Sequence, residues 1–418
     1  MLRGARTPGS TSMSGKKASK LNADLVAAIE DTDVEAVAKL LAAGADPNSR
    51  SSEDAPVLLL AASEEELELV QLLLGAGAEV DAVDALGMSP LMYAVLSGNV
   101  EVAERLIASG ADVNHQCDDD LGNTVLTLAL DKNELPDEPS AAMVEKLLRA
   151  GANPNTPNAA GWPPLHRAAS FPDLSIIELL LATGADVKTP RSSGYHAIDT
   201  AHAHGQHEVV KRLLAAGSPS LEETATARMT EVWTRIEAWY AEHCVPYAEA
   251  LRKAQRAAPE ELAALEEALG TGLPPDFRAF LLRFGGGGLH PPGDAGVFEY
   301  SGMTVDLILS QWKGLAELRK QGAFEKATPH ELPESDQALQ WTWWHPGWVP
   351  FARDSGGNLY CVDLAPGSEG TRGQVFKWES HDGPLSPIRE SLQEFFEWYL
   401  EQLEEGRFTF GGETLFRD

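Results

Sequence analysis

Cysteine is scarce. Cys117, Cys244 and Cys361 stand far apart, with no Cys-x-x-Cys among them. An odd count at such spacing excludes a disulfide framework and a zinc site built from cysteine pairs. Reduced thiols of a cytoplasmic protein are the expectation. Long apolar runs are missing too: none reaches the roughly 18 residues that would span a bilayer. The first twenty residues carry Arg3, Arg6, Lys16, Lys17 and Lys20 and no acid, yet lack the apolar stretch of a signal peptide. Residues 1–20 read as a disordered leader, with Met13 as an alternative start. Basic residues are few overall, 33 against 63 acids, for a formal charge of −30. Such a surface repels phosphate backbones and anionic lipid, so the expected partner is a basic protein and not a nucleic acid or a membrane.

Catalytic patterns are also lacking. There is no Gly-x-Ser-x-Gly. The run Gly285–Gly288 has no Lys-Ser/Thr after it and follows a helix, not a strand. His202, His204 and His207 lie at spacings that point different ways on a helix, and His381-Asp382 has no second cluster to complete a metal pair. No enzyme, cofactor or metal site is expected.

Aromatic residues are nearly absent from one half. Only Tyr93, Trp162, Phe171 and Tyr195 precede residue 220, and nine of the ten tryptophans follow it. Two such different core chemistries imply two domains, read as 21–218 and 219–410 with a tail at 411–418. Both are acidic, with 31 acids against 11 bases over 21–220 and 32 against 17 over 221–418.

What the first part does have is a repeat. GADPN (44–48), GAEVD (77–81), GADVN (110–114), GANPN (151–155) and GADVK (184–188) recur, with a last glycine at Gly217. The spacings are 33, 33, 41, 33 and 33. Leu, Val and Ile fall at helical spacing before each glycine, which sits where a helix end wants a left-handed residue. A polar turn and an alanine-rich helix follow, as in SPLMYAVLSG. One helix pair cannot bury its apolar face alone, so stacked pairs are the unit of stability. The spacing predicts a helical solenoid of six pairs. The surplus of the 41-residue period is placed at Asn133–Ser140.

This part resembles the ankyrin-repeat family. The TPLH tetrapeptide survives partly as Ser89-Pro90-Leu91-Met92 and Pro163-Pro164-Leu165-His166, and is eroded in Thr124-Val125-Leu126-Thr127. The resemblance implies a protein-binding stack. Asp118, Asp119 and Asp120 fall at a turn tip between the third and fourth repeats. They would face a basic partner or simply stay hydrated.

In the second part, Ser220 and Glu223 have capping-box spacing. Met229, Val232, Trp233, Ile236, Trp239 and Tyr240 then share one helix face. Helices starting at Pro259 and at Pro274 or Pro275 end at Gly270 and Gly285. Strand-like pieces follow at Val297–Tyr300, Trp348–Ala352, Asn358–Ala365 and Gln374–Glu379, then a helix over Ser391–Glu405. This order predicts an α+β domain with a largely antiparallel sheet flanked by helices. It resembles the SUKH superfamily, the Smi/Knr-type cell-wall-assembly-regulator-like domains. The resemblance is carried by Trp233, Trp239, Leu265-Glu266, Leu269-Gly270, Leu273-Pro274, Phe280, Gly285-Gly286 and Trp312. It continues through Trp348–Asp354, Gly356-Gly357-Asn358, Asp363–Gly367 and Gly373-Gln374-Val375. It implies a non-catalytic binding domain. In bacteria such domains serve as immunity proteins against secreted toxins, often nucleases; in fungi they regulate cell-wall synthesis.

Trp341, Trp343, Trp344 and Trp348 crowd together. Trp341, Trp343 and Trp344 cannot all point to one core face of a strand, so at least one of them is expected to be partly exposed; the cluster is read either as a partner-binding surface or as lining the domain's own core or its seam with the repeats. The expected function is immunity-type binding of a basic toxin, with a cytoplasmic scaffold or regulator of envelope assembly as the alternative.

Overall fold

A computed structural model describes residues 11–64, 66–118, 121–131, 139–285, 301–324, 337–340, 342–411 and 414–417. The chain divides into two compact units, Met1–Pro219 and Ser220–Asp418.

The first unit is six helix pairs. They are α1 (Thr11–Glu30) with α2 (Val34–Ala42), α3 (Val57–Ser63) with α4 (Leu67–Gly75), and α5 (Pro90–Leu96) with α6 (Val100–Ala108). Then come α7 (Val125–Leu128) with α8 (Ala141–Arg149), α9 (Pro164–Ala168) with α10 (Leu174–Ala182), and α11 (Ala197–Ala203) with α12 (His207–Ala215). The first helix starts inside the stretch whose composition reads as a leader. The longer period places its extra residues between α7 and α8; of the expected loop, 133–138 lies outside the described residues.

The glycine period now has its cause. Every second helix is nine residues long. After each, Gly44, Gly77, Gly110, Gly151, Gly184 and Gly217 take φ between 91° and 97°. A side chain there would be strained. The residue after each glycine donates its N–H back to the helix, as Ala45 does to Leu40 and Ser218 to Leu213, both at 3.0 Å. This closes the helix end in the Schellman pattern.

A second series joins one repeat to the next. The Oδ1 of Asn48, Asp81, Asn114 and Asn155 accepts the N–H of Glu79, Asp112, Asn153 and Asp186 at 2.7–3.0 Å. The amide nitrogens of Asn114 and Asn155 also donate to the carbonyls of Gly151 and Gly184. In the last period Lys188 replaces the acceptor, and Pro219 stands where the next N–H would be.

The second unit opens with α13 (Leu221–His243). Ser220 Oγ accepts the Glu223 N–H at 3.2 Å, and Glu223 accepts the Ser220 N–H at 2.7 Å. There follow α14 (Val245–Lys253), α15 (Pro259–Leu269), α16 (Pro275–Phe284), β1 (Ser301–Gly302) and α17 (Val305–Lys320). Then come β2 (Trp348–Arg353), β3 (Leu359–Asp363), β4 (Val375–Glu379), β5 (Gly383–Pro384) and α18 (Leu392–Glu404). The five strands form one antiparallel sheet in chain order, β1 to β5. The expected strand at Val297–Tyr300 lies outside the described residues. Beyond α18, β6 (Phe408–Gly411) and β7 (Thr414–Arg417) pair as an antiparallel hairpin that runs across residue 411, where the tail was expected to begin.

Both faces of the sheet are buried. Val349, Phe351, Tyr360, Val362 and Val375 meet Trp233, Phe280, Phe395 and Phe396 of the helices in one core. Trp348, Leu359, Cys361, Phe376 and Trp378 face the other way into a second core. Alternation along β3 and β4 sorts the residues between the two.

Candidate functional site

The tryptophan segment settles first. Trp344 and Trp348 are fully buried and Trp343 is 8% exposed. Their rings meet edge to face: Trp344 with Trp348 at 5.8 Å, Trp344 with Trp378 at 5.7 Å, Trp343 with Trp378 at 6.3 Å. The Trp378 indole N–H donates to the Trp343 carbonyl at 2.7 Å. These three side chains are packed into the second core. The alternation argument does not apply, because residues 342–347 are bends, irregular chain and a turn before β2, not a strand, so successive indoles are free to face one side. Trp341 lies outside the described residues.

Asp363 closes the turn after β3. It accepts the Ala365 N–H at 2.9 Å and the Gln374 amide at 3.0 Å. Burial pushes its pKa up to about 6. This is an internal brace with no opening toward solvent.

The repeats offer a better surface. Between consecutive pairs a turn projects, and consecutive turns are tied tip to tip. Asp118 N–H donates to the Leu86 carbonyl at 2.9 Å, and Ala159 N–H to the Leu121 carbonyl at 3.0 Å. Gly87 and Gly122 permit this approach. A Cβ at Gly87 would lie 2.7 Å from the Asp118 nitrogen, and one at Gly122 2.5 Å from the Ala159 Cβ. Leu86 and Leu121 hold equivalent places on the two tips and are 57% and 37% exposed. Asp118 is exposed between them; Asp119 and Asp120 lie outside the described residues. Two apolar side chains on a rigid, acid-bearing edge are the kind of feature that an interface covers.

Behind that edge lies a polar network the sequence did not reveal. Arg167 of α9 pairs with Asp131 at 2.5 Å, with exposures of 14% and 2%. Asn123 Oδ1 accepts from Thr127 Oγ1 at 3.3 Å and from the Asn158 amide at 3.2 Å. An arginine inside the alanine-rich PPLHRAAS was its only trace. Farther along, the Arg191 guanidinium lies 4.2 Å from the Trp162 ring centre and 4.7 Å from that of Tyr195. His166 Nε2–H donates to the Tyr195 carbonyl at 3.0 Å, which leaves Nδ1 as a buried acceptor with no partner. Burial lowers its pKa to about 4.

Cys117, Cys244 and Cys361 are buried thiols. His204 Nδ1 is 2.9 Å from the Thr200 carbonyl. Among the described residues no group of three His, Cys, Asp or Glu is placed to hold a metal ion, and no helix is long and apolar enough to cross a membrane.

Comparison with known proteins follows this division. Residues 25–117, 58–136 and 137–222 match the model for ankyrin repeats in three copies, and residues 256–398 match the SMI1 / KNR4 family (SUKH-1). KNR4/SMI1 homolog 2 of Debaryomyces hansenii is 38% identical over 71 residues, 17% of this chain and 12% of that protein. The cell wall biosynthesis/cell cycle regulator smi1 of Schizosaccharomyces pombe is 26% identical over 204 residues, 46% of this chain and 39% of that protein. The chain thus spans well under half the length of these relatives. A chain of the predatory endopeptidase–immunity protein complex from Bdellovibrio bacteriovorus aligns with 26% identity and a TM-score of 0.41, covering 46% of this chain and 97% of its own. The protein therefore carries ankyrin repeats followed by an SMI1/KNR4 (SUKH-1) domain.

Proposed function

We propose that this is a non-catalytic cytoplasmic binding protein of the immunity type, which occludes a basic protein toxin. The observation that carries the reading is the fingertip edge: Leu86 and Leu121, exposed on hydrogen-bonded consecutive tips, flank Asp118 in a repeat segment with 31 acids against 11 bases over residues 21–220. Apolar contacts on such an edge hold a partner, while the acidic field speeds its arrival. The SUKH resemblance supports a toxin as that partner. A second reading, regulation of cell-wall assembly, is favoured by the name of the Schizosaccharomyces pombe relative.

The test is affinity capture from the host with mass spectrometry, using the native chain and a Leu86→Asp, Leu121→Asp variant. A basic secreted toxin captured by the first and lost by the second supports the reading. Enzymes of wall synthesis would move it to the second reading. Capture unaffected by the variant would remove the fingertip edge from the binding site.

A further inference from the structure

In a chain with a formal charge of −30, one helix of the C-terminal unit carries spare positive charge. Along α17, Lys313, Arg319 and Lys320 are exposed, against Asp306 and Glu317. Glu317 accepts the Gln321 amide at 3.0 Å. Arg353, exposed at the end of β2, shares a cleft with Gln311 of this helix. Among the described residues none of these four cations takes part in an ion pair. The carboxylate next to Arg353 in the chain is committed elsewhere. Asp354 Oδ1 accepts the Asn358 N–H and its Oδ2 the Asn358 amide, both at 2.8 Å.

The cleft is open, about 520 Å³, and lies between α17 and the turn from β2 to β3. Ser301 pairs with Arg353 and Arg353 with Leu359, so the three lie in one row across the sheet. Gln311 and Ser355 add neutral donors to the wall. A guanidinium ringed by hydroxyl and amide groups suits a carboxylate, which it can hold with two parallel bonds.

A second feature continues from that wall. Leu307, Gln311, Gly314 and Leu318 fall on one stripe of α17. Leu307 and Leu318 are 41% and 44% exposed. A Cβ at Gly314 would meet nothing within 4 Å, so the stripe is open between them. The helical rise sets the two leucines roughly 16 Å apart along the axis. Exposed leucines at this spacing, beside cations that lack partners, match the apolar and charged faces of an amphipathic segment.

We propose that α17 and the adjoining cleft dock an acidic amphipathic segment of a protein partner. Its apolar side chains lie along Leu307 and Leu318, and one of its carboxylates pairs with Arg353. A nucleic acid or an anionic bilayer is too extended to avoid the 32 acids that residues 221–418 set against 17 bases. The proposal goes beyond the toxin reading, since it concerns the C-terminal unit and a partner surface of the opposite charge.

The probe is a synthetic peptide with leucines and glutamates at helical spacing, titrated calorimetrically into the full chain. Peptides with glutamine at every glutamate, or serine at every leucine, are the controls, and vesicles containing phosphatidylserine are a separate arm. The acidic peptide should bind, and each control peptide should bind about tenfold more weakly. Arg353→Gln should weaken the acidic peptide by a similar factor and leave the melting curve unchanged, because the side chain is exposed and unpaired. Leu318→Asp should weaken it as well. Asp118→Asn should have no effect, which separates this site from the fingertip edge. Absence of binding, equal binding of the glutamine peptide, binding indifferent to Arg353→Gln, or tighter binding of the vesicles than of the peptide would each overturn the proposal.

Discussion

Acidification should move the two units in opposite directions. In the repeats, His166 is buried and neutral, with its pKa lowered from 6.5 to about 4. Between those values the unfolded chain binds a proton that the folded chain refuses. Stability is therefore full above pH 6.5 and is lost as pH falls toward 4. In the C-terminal unit, the Asp363 pKa is raised from 3.8 to about 6. Here the folded chain keeps a proton that the unfolded chain releases, so stability is full below 3.8 and is lost as pH rises through 6. At 1.36 kcal/mol per pH unit, each effect is worth about 3 kcal/mol at most. Buried Asp276 and half-buried Glu394 are shifted upward as Asp363 is, while lowered His345 opposes them. The assay is denaturant unfolding between pH 4 and 7 with two probes. Tryptophan emission reports the C-terminal unit, which holds nine of the ten indoles; far-UV circular dichroism is weighted toward the helical repeats. From pH 7 to 4 the dichroism midpoint should fall and the emission midpoint should hold or rise. His166→Leu should flatten the first trend and Asp363→Asn the second. Parallel trends in both signals, or trends that survive those substitutions, would refute the reasoning.

Asn114→Ala removes two inter-repeat hydrogen bonds, at 2.8 and 3.1 Å, and should cost about 1–2 kcal/mol in chemical denaturation. Asn114→Asp keeps the acceptor and loses the donor, so it should fall between; Asp81 fills the same role one repeat earlier. Pro163→Thr would supply a hydroxyl to cap α9 and reach the orphaned His166 Nδ1, against the entropy returned by losing proline. A net gain of about 1 kcal/mol is expected, read from thermal melting. Gly285 has φ 68°, and a Cβ there would fall 1.5 Å from the Gln255 carbonyl oxygen. Gly285→Ala should lose more than the ~1–2 kcal/mol of left-handed strain alone, seen as a lowered melting temperature of the C-terminal unit.

The repeat was legible because its mark is a backbone requirement. A helix end at φ near 95° selects glycine whatever the surroundings, so the period survives even where TPLH has eroded to Thr124-Val125-Leu126-Thr127. The capping box at Ser220 and the glycine stops at Gly270 and Gly285 were readable for the same local reason. Legibility failed where tertiary contact decides. Helix α17 carries Gly314 in its interior and a mostly polar surface, so packing rather than pattern defines it. Alternation along a strand predicts that Trp343 and Trp344 face opposite sides, and the irregular chain that holds them removes that argument. Trp239 falls at core spacing on α13, yet it is only partly buried; Trp398 lies beside the core stripe of α18. No periodicity separates a core indole from one left partly open.

The substitution of Lys188 for the acceptor, facing Pro219 with no N–H to give, bears on how this stack can change in length. Each earlier period ends in a side chain that receives the next repeat and begins with an amide that the previous one receives. A duplicated internal unit therefore brings both halves of the connection and can be inserted anywhere before residue 188. Beyond it, a new unit would find a lysine where it needs an acceptor. Growth or shrinkage of the array is chemically permitted from within and blocked at its final member, so lengthened or shortened forms should differ in their middle repeats and share the last one.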